Sequence, residues 1–245
     1  MRALTGSLYD DRRRLLADAK RACNRGRSRR AIAIYRRILL EDPRNVPVKL
    51  RLAPLLAGTG ESFEAWQHFH SAARELARGR RYEECLSVYR EACRCLPREF
   101  EAWRLRAELE LRLGREQDAF ETLLEGRRFF DTAGTRAQAV SLLTRARAIE
   151  PWDPELCLDL AQLYARCDLR VAAYELLAIL AYRVEGWELC RVRARQWRLT
   201  LSFHDAWRWL RAVSAELRGG GADGVSGFPV EGIADAKLPP PGTDG

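Results

Sequence analysis

The sequence predicts an all-α chain of about twelve antiparallel helices, and three observations carry that expectation. Pro43, Pro97 and Pro151 stand 54 residues apart, each preceded twelve residues earlier by a small residue, Ala31, Cys85 or Ala139, with a large one four residues later, Tyr35, Tyr89 or Leu143. A second ladder keeps the same step. Ala65, Ala119 and Ala173 are followed at the fourth residue by Phe69, Leu123 and Leu177, and preceded at the fifth by Gly60, Gly114 and, as a departure, Asp168. The third observation is periodicity: Leu105, Leu109 and Leu113 recur on one helix face, and no stretch alternates apolar and polar as a strand would.

Each signal has a helix-packing reading. A small residue lets one helix backbone approach its neighbour, and the large residue one turn on fills the space beside it. Glycine ends a helix in the left-handed conformation, and proline stops the next from running on. In order, the expected helices are 7–24, 28–41 between Gly26 and Pro43, and 46–58, the weakest because Pro54 should kink or shorten it. Next come 61–78 after Gly60, 81–96 before Pro97, 99–113 with the leucine ladder, and 116–131 after Gly114. The last five are 135–149 before Pro151, 153–166, 169–184, 187–198 and 202–217. The twelfth should be the best capped, with Ser202 and Asp205 spaced as a capping box and Phe203, Ala206, Trp207, Leu210, Val213 and Leu217 on one face.

A small residue, a large one four later and proline twelve on, as in Ala31, Tyr35, Pro43 and Cys85, Tyr89, Pro97, resembles the tetratricopeptide repeat (TPR) family. The stretch AIAIYRRILLEDPRN from Ala31 to Asn45 is similar to that family's second helix and exit turn, and Gly26 falls at its turn glycine. The period departs from the family, 54 residues being one 34-residue unit plus about one helix. The middle helix of each super-repeat would then serve two units. The resemblance, to a bacterial cytoplasmic type with fused super-repeats, implies a right-handed α-solenoid that binds proteins in its concave groove. On it the repeat domain spans 1–217: a basic first pair at 7–43, super-repeats at 44–97 and 98–151, and divergent helices at 152–217. Residues 218–245 hold eight of the seventeen glycines and four of the ten prolines, a composition that predicts a disordered tail. Its apolar patch, 228–230, is a candidate docking motif.

Composition excludes other classes. Apolar residues are 47% and charged residues 31%, enough to build a core. The most apolar segment, 171–182, is short and broken by Glu175, and no signal segment precedes it, so the expectation is a cytoplasmic protein with no membrane insertion. Seven cysteines without a C-x-x-C pair read as small buried hydrophobes, and His68 and His70 point to opposite helix faces. No metal, no cofactor and no catalytic residue is expected: phosphate loop, serine elbow and H-E-x-x-H are all missing from the sequence.

Charge is informative by position. Residues 1–45 hold 13 basic against 5 acidic residues, while the rest of the chain balances. The densest part is the turn carrying Arg25, Arg27, Arg29 and Arg30, either a solvated cap or a candidate anion-binding patch for an acidic protein surface or a nucleic acid. Superposing the 54-residue units brings Lys20, Arg74 and Arg128 into register. With the resemblance, these three and the flanking His70, Arg104 and Glu108 are the candidate groove residues, and the expected partner is another protein offering an acidic or extended segment. The second class of partner is a nucleic acid held by the first helix pair.

Overall fold

The computed structural model describes residues 2–218, with side chains from residue 12 onward. The described residues form twelve α-helices and no strand: α1 Arg2–Asn24, α2 Ser28–Glu41, α3 Val46–Gly58, α4 Ser62–Arg78, α5 Tyr82–Cys95, α6 Phe100–Arg112, α7 Glu116–Arg127, α8 Arg136–Ile149, α9 Pro154–Arg166, α10 Arg170–Leu180, α11 Gly186–Thr200 and α12 Phe203–Leu217. One 3-10 turn, Ala133–Thr135, leads into α8. The tail expected at 218–245 lies outside the described residues apart from Arg218.

Each helix packs on its neighbours in chain order, as repeat arrays do. Helix starts recur at the sequence step: Val46, Phe100 and Pro154 open α3, α6 and α9, and Ser62, Glu116 and Arg170 open α4, α7 and α10, each 54 residues after the last. The reason is local. Asn45, Glu99 and Asp153 stand just before the first set, and their side chains accept the backbone N–H of Val48 (3.1 Å), Glu101 (3.4 Å) and Leu156 (2.7 Å), satisfying donors a helix start leaves free. Gly60, Gly114 and Asp168 precede the second set with φ of +88°, +73° and +65°. Asp168 therefore adopts the turn conformation of its glycine equivalents despite its Cβ.

The small-then-large pairs form the core. Ala31, Ala65, Ala119, Ala139 and Ala173 are fully buried, with Phe69, Leu123, Leu143 and Leu177 beside them. Packing is closer within α3–α5 and within α6–α8 than across α5 to α6 or α8 to α9, where the prolines intervene. Pro54 leaves α3 at 13 residues, the length of α6 and α9, so the expected shortening is absent.

Several helix ends differ from expectation, and α1 opens at Arg2 rather than at residue 7. Helix α7 stops at Arg127 rather than 131, because the chain leaves the helix to bury Phe130 edge-on against Phe100 and to stack Phe129 on Trp103. Helix α10 stops at Leu180 rather than 184, and Ala181 and Val184 are buried in the turn that follows. At α12 the capping box does not form: Ser202 makes no side-chain cap, and Asp205 accepts hydroxyls from Thr200 (2.7 Å) and Tyr174 (3.3 Å) instead.

Candidate functional site

Four of the six candidate groove residues gather where α4, α5 and α6 meet. Trp66 and His70, one turn apart on α4, stack with centroids 5.2 Å apart, and the Tyr89 hydroxyl of α5 lies 3.5 Å from His70 Nδ1. Burial lowers the His70 pKa, and the Arg74 and Arg104 cations lower it further against the opposing pull of Glu101. Burial likewise raises the Tyr89 phenol, so the neutral ring pair is favoured at neutral pH. A cleft of about 390 Å³ runs along α4 past Gln67, His70, Ser71, Arg74, Glu75 and Arg78.

The charges of this patch differ in availability. Arg104 donates to Glu101 (2.6 Å) and Glu108 (3.2 Å), and Glu108 accepts in turn from Arg112 (2.6 Å). These groups are consumed by their own helix. Arg74 is exposed and has no acidic partner among the described residues. Beside it lies a residue sequence reasoning missed, Lys49: it is buried, donates from Nζ to Ser71 Oγ at 2.7 Å, and has its pKa lowered by burial. An apolar-helix lysine gives no sequence signal for such a role.

Lys20 and Arg128 lie apart from this patch, on α1 and at the end of α7. Lys20 and Arg74 each stand four residues before the end of their helix, whereas Arg128 is one residue past the end of α7, with φ −62° and ψ −20°. All three are exposed, and none has an acidic partner among the described residues.

The arginine-rich turn between α1 and α2 makes a second cationic site. Arg21, Arg25, Arg27 and Arg30 line a cleft of about 200 Å³ whose one acid is Asp18, already paired with Arg21. Arg29 is exposed and does not line it.

At the other end of the array, α12 turns Asp205 and the Trp209 ring, stacked on Trp197 at 5.3 Å, towards α11. Of the stripe expected to pack, Phe203, Trp207, Leu210 and Leu217 instead point outward at 87%, 52%, 54% and 71% exposure, while Ala206 and Val213 are half-buried. The buried anchor Asp205, held by two hydroxyls, fixes this rotation.

Burial holds the thiols protonated: Cys85 and Cys157 are pushed up to about 11 and Cys93 to about 12. No group of three or more His, Cys, Asp or Glu residues among the described residues is placed to hold a metal ion. No helix of the described residues is long and apolar enough to cross a membrane.

No protein-family model and no curated protein matches the chain. Solved structures do. A tetratricopeptide repeat protein from Parabacteroides merdae is 15% identical with a TM-score of 0.30, covering 86% of this chain and 94% of its own. Pseudomonas aeruginosa PilF is 17% identical with a TM-score of 0.29 over 87% and 94%. A structure of Naa15/Naa10 bound to HypK-THB is 14% identical with a TM-score of 0.30 over 83% of this chain and 36% of that one. At such identities and scores, the fold rests on the chain's own helices.

Proposed function

We propose that this chain is a non-enzymatic adaptor or scaffold of the cytoplasm, which holds an extended acidic segment of a partner protein along the face carrying Lys20, His70, Arg74 and Arg128. The observation behind it is Arg74: an exposed cation without an acidic partner among the described residues, in a cleft beside the Trp66–His70 stack. Aromatic surface gives a peptide chain area to cover, and an uncommitted cation gives it a charge to pair. Lys20 and Arg128, at the repeat step from Arg74, extend the same chemistry along the array. Arg104 and Glu108, bonded within α6, contribute less to the partner.

The test is binding of extended peptides carrying a carboxylate every three to four residues. Charge reversal in Arg74→Glu with Arg128→Glu should weaken binding more than tenfold with the fold intact, since exposed arginines carry little stability. The same reversal at Arg27 and Arg29 is the control. Loss in the control and retention in the ladder variant would overturn the proposal.

The arginine cleft supports the second reading, a nucleic-acid-binding module. Four arginines round one cleft, with a single and already paired acid, are suited to a phosphate chain.

A further inference from the structure

We propose that the outward face of α12 is a docking surface for the chain's own residues 225–233, with Phe228 and Val230 as anchors. The face consists of Phe203, Trp207, Leu210 and Leu217, all exposed and spaced along one side of a 15-residue helix. A contiguous apolar stripe of this kind on the last helix of the described residues marks an interaction site, because an array's outer face that meets only water is ordinarily polar.

Reach favours the occupant. The described residues end at Arg218, directly after α12, and Phe228 is the tenth residue beyond it. Ten extended residues span up to about 33 Å, whereas a 15-residue helix is about 22 Å long, so Phe228 can meet any point of the stripe. Gly219, Gly220 and Gly221 place no side chain in the way of a reversal.

Chemistry favours it as well. A proline disfavours the helical conformation of the residue before it, and in an extended chain residues two apart point the same way. Docked as an extended segment, Phe228 and Val230 would offer two anchors about 7 Å apart, close to the separation of side chains one helical turn apart. Charge separates this occupant from a second copy. Residues 186–218 hold seven arginines against Glu188, Asp205 and Glu216, whereas 219–235 hold Asp223, Glu231 and Asp235 and no basic residue. Two copies would set like charges against each other; a docked tail would set acids beside Arg211 and Arg218.

The test uses the full chain with a photoreactive benzoylphenylalanine in place of Phe228. The expected result is an intramolecular cross-link to residues 203–217, with a yield independent of protein concentration. Leu210→Asp, at an exposed position that leaves the fold intact, should cut that yield at least fivefold. Cross-linked dimers whose yield rises with concentration would put a second copy on the face and overturn the proposal. Cross-links to other helices, or none to α12, would overturn it too.

Discussion

A Cβ on Gly126 would fall 2.8 Å from the indole ring of Trp103. Helix α7 thus lies on the ring of α6 at a close approach that glycine allows, and Trp103 is held by Nε1 donating to Pro97 O at 2.9 Å. Gly126→Ala should destabilise the protein by about 1–3 kcal/mol through overpacking. Helix propensity by itself gives the opposite sign, a gain of about 1 kcal/mol. Chemical denaturation decides between them, and a stabilised variant would show that the contact relaxes at no cost.

Asp168 holds a left-handed φ of +65° where its equivalents are Gly60 and Gly114. Its Cβ costs about 1–2 kcal/mol there, and glycine's greater unfolded-state entropy returns part of that. Asp168→Gly should stabilise by about 0.5–1 kcal/mol. The weak pair with Arg170, 3.8 Å away and exposed, gives aspartate little to lose. A lower melting temperature in the variant would contradict the strain argument.

Glu110 is fully buried and accepts from Thr122 Oγ1 (2.7 Å) and Arg106 Nε (3.1 Å). Glu110→Ala takes the acceptor from Thr122 Oγ1 and Arg106 Nε, while Arg106 keeps a pair with Glu125 at 3.6 Å, and should cost about 1–3 kcal/mol. Thr122→Val removes one neutral donor and should cost about 1 kcal/mol. Denaturation of both single variants and the double variant measures the coupling; a cost below about 1 kcal/mol for Glu110→Ala would mean that water replaces the carboxylate.

What could be read from the sequence follows from what periodicity encodes. The starts at Val46, Phe100 and Pro154 were legible because cap residues and turn conformers are local. Gly126, Lys49 and Glu110 were not, since each takes its meaning from a partner on another stretch of chain: Trp103, Ser71 and Thr122. The stripe on α12 shows the limit best. Period 3.6 shows that a helix has an apolar face, but the rotation that turns it outward is fixed by Asp205 meeting Tyr174, 31 residues away.

Protonation should loosen the α4 region. Burial lowers the pKa of both His68 and His70; Glu64 and Glu101 oppose this, while Lys49, Arg36, Arg74 and Arg104 reinforce it. A histidine whose folded pKa is depressed binds more protons when unfolded. Stability is therefore full above the unfolded value of about 6.5 and is lost as pH falls from there through the folded value. Melting temperature should drop between pH 7.5 and 5.5, and His68→Gln with His70→Gln should flatten that drop. An unchanged slope in the double variant would assign the pH dependence elsewhere.

Salt separates the two functional readings at the level of mechanism. A phosphate chain in the cleft of Arg21, Arg25, Arg27 and Arg30 makes about four contacts, each releasing a condensed counterion. On duplex DNA this gives a slope of about −3.6 in log affinity against log salt, or a loss of about 150-fold between 50 and 200 mM. An acidic peptide has no condensed counterions to release. With two or three pairs to Lys20, Arg74 and Arg128, its affinity should fall by less than about tenfold over the same range, through screening alone. Titrating the chain with a duplex oligonucleotide and with an acidic peptide at both salt concentrations reads the two slopes directly. Reversal of Arg25 and Arg27 should flatten the first slope by about two units and leave the second unchanged. If the peptide slope also collapses in that variant, the acidic segment binds at the first helix pair and the face of Arg74 is not its site.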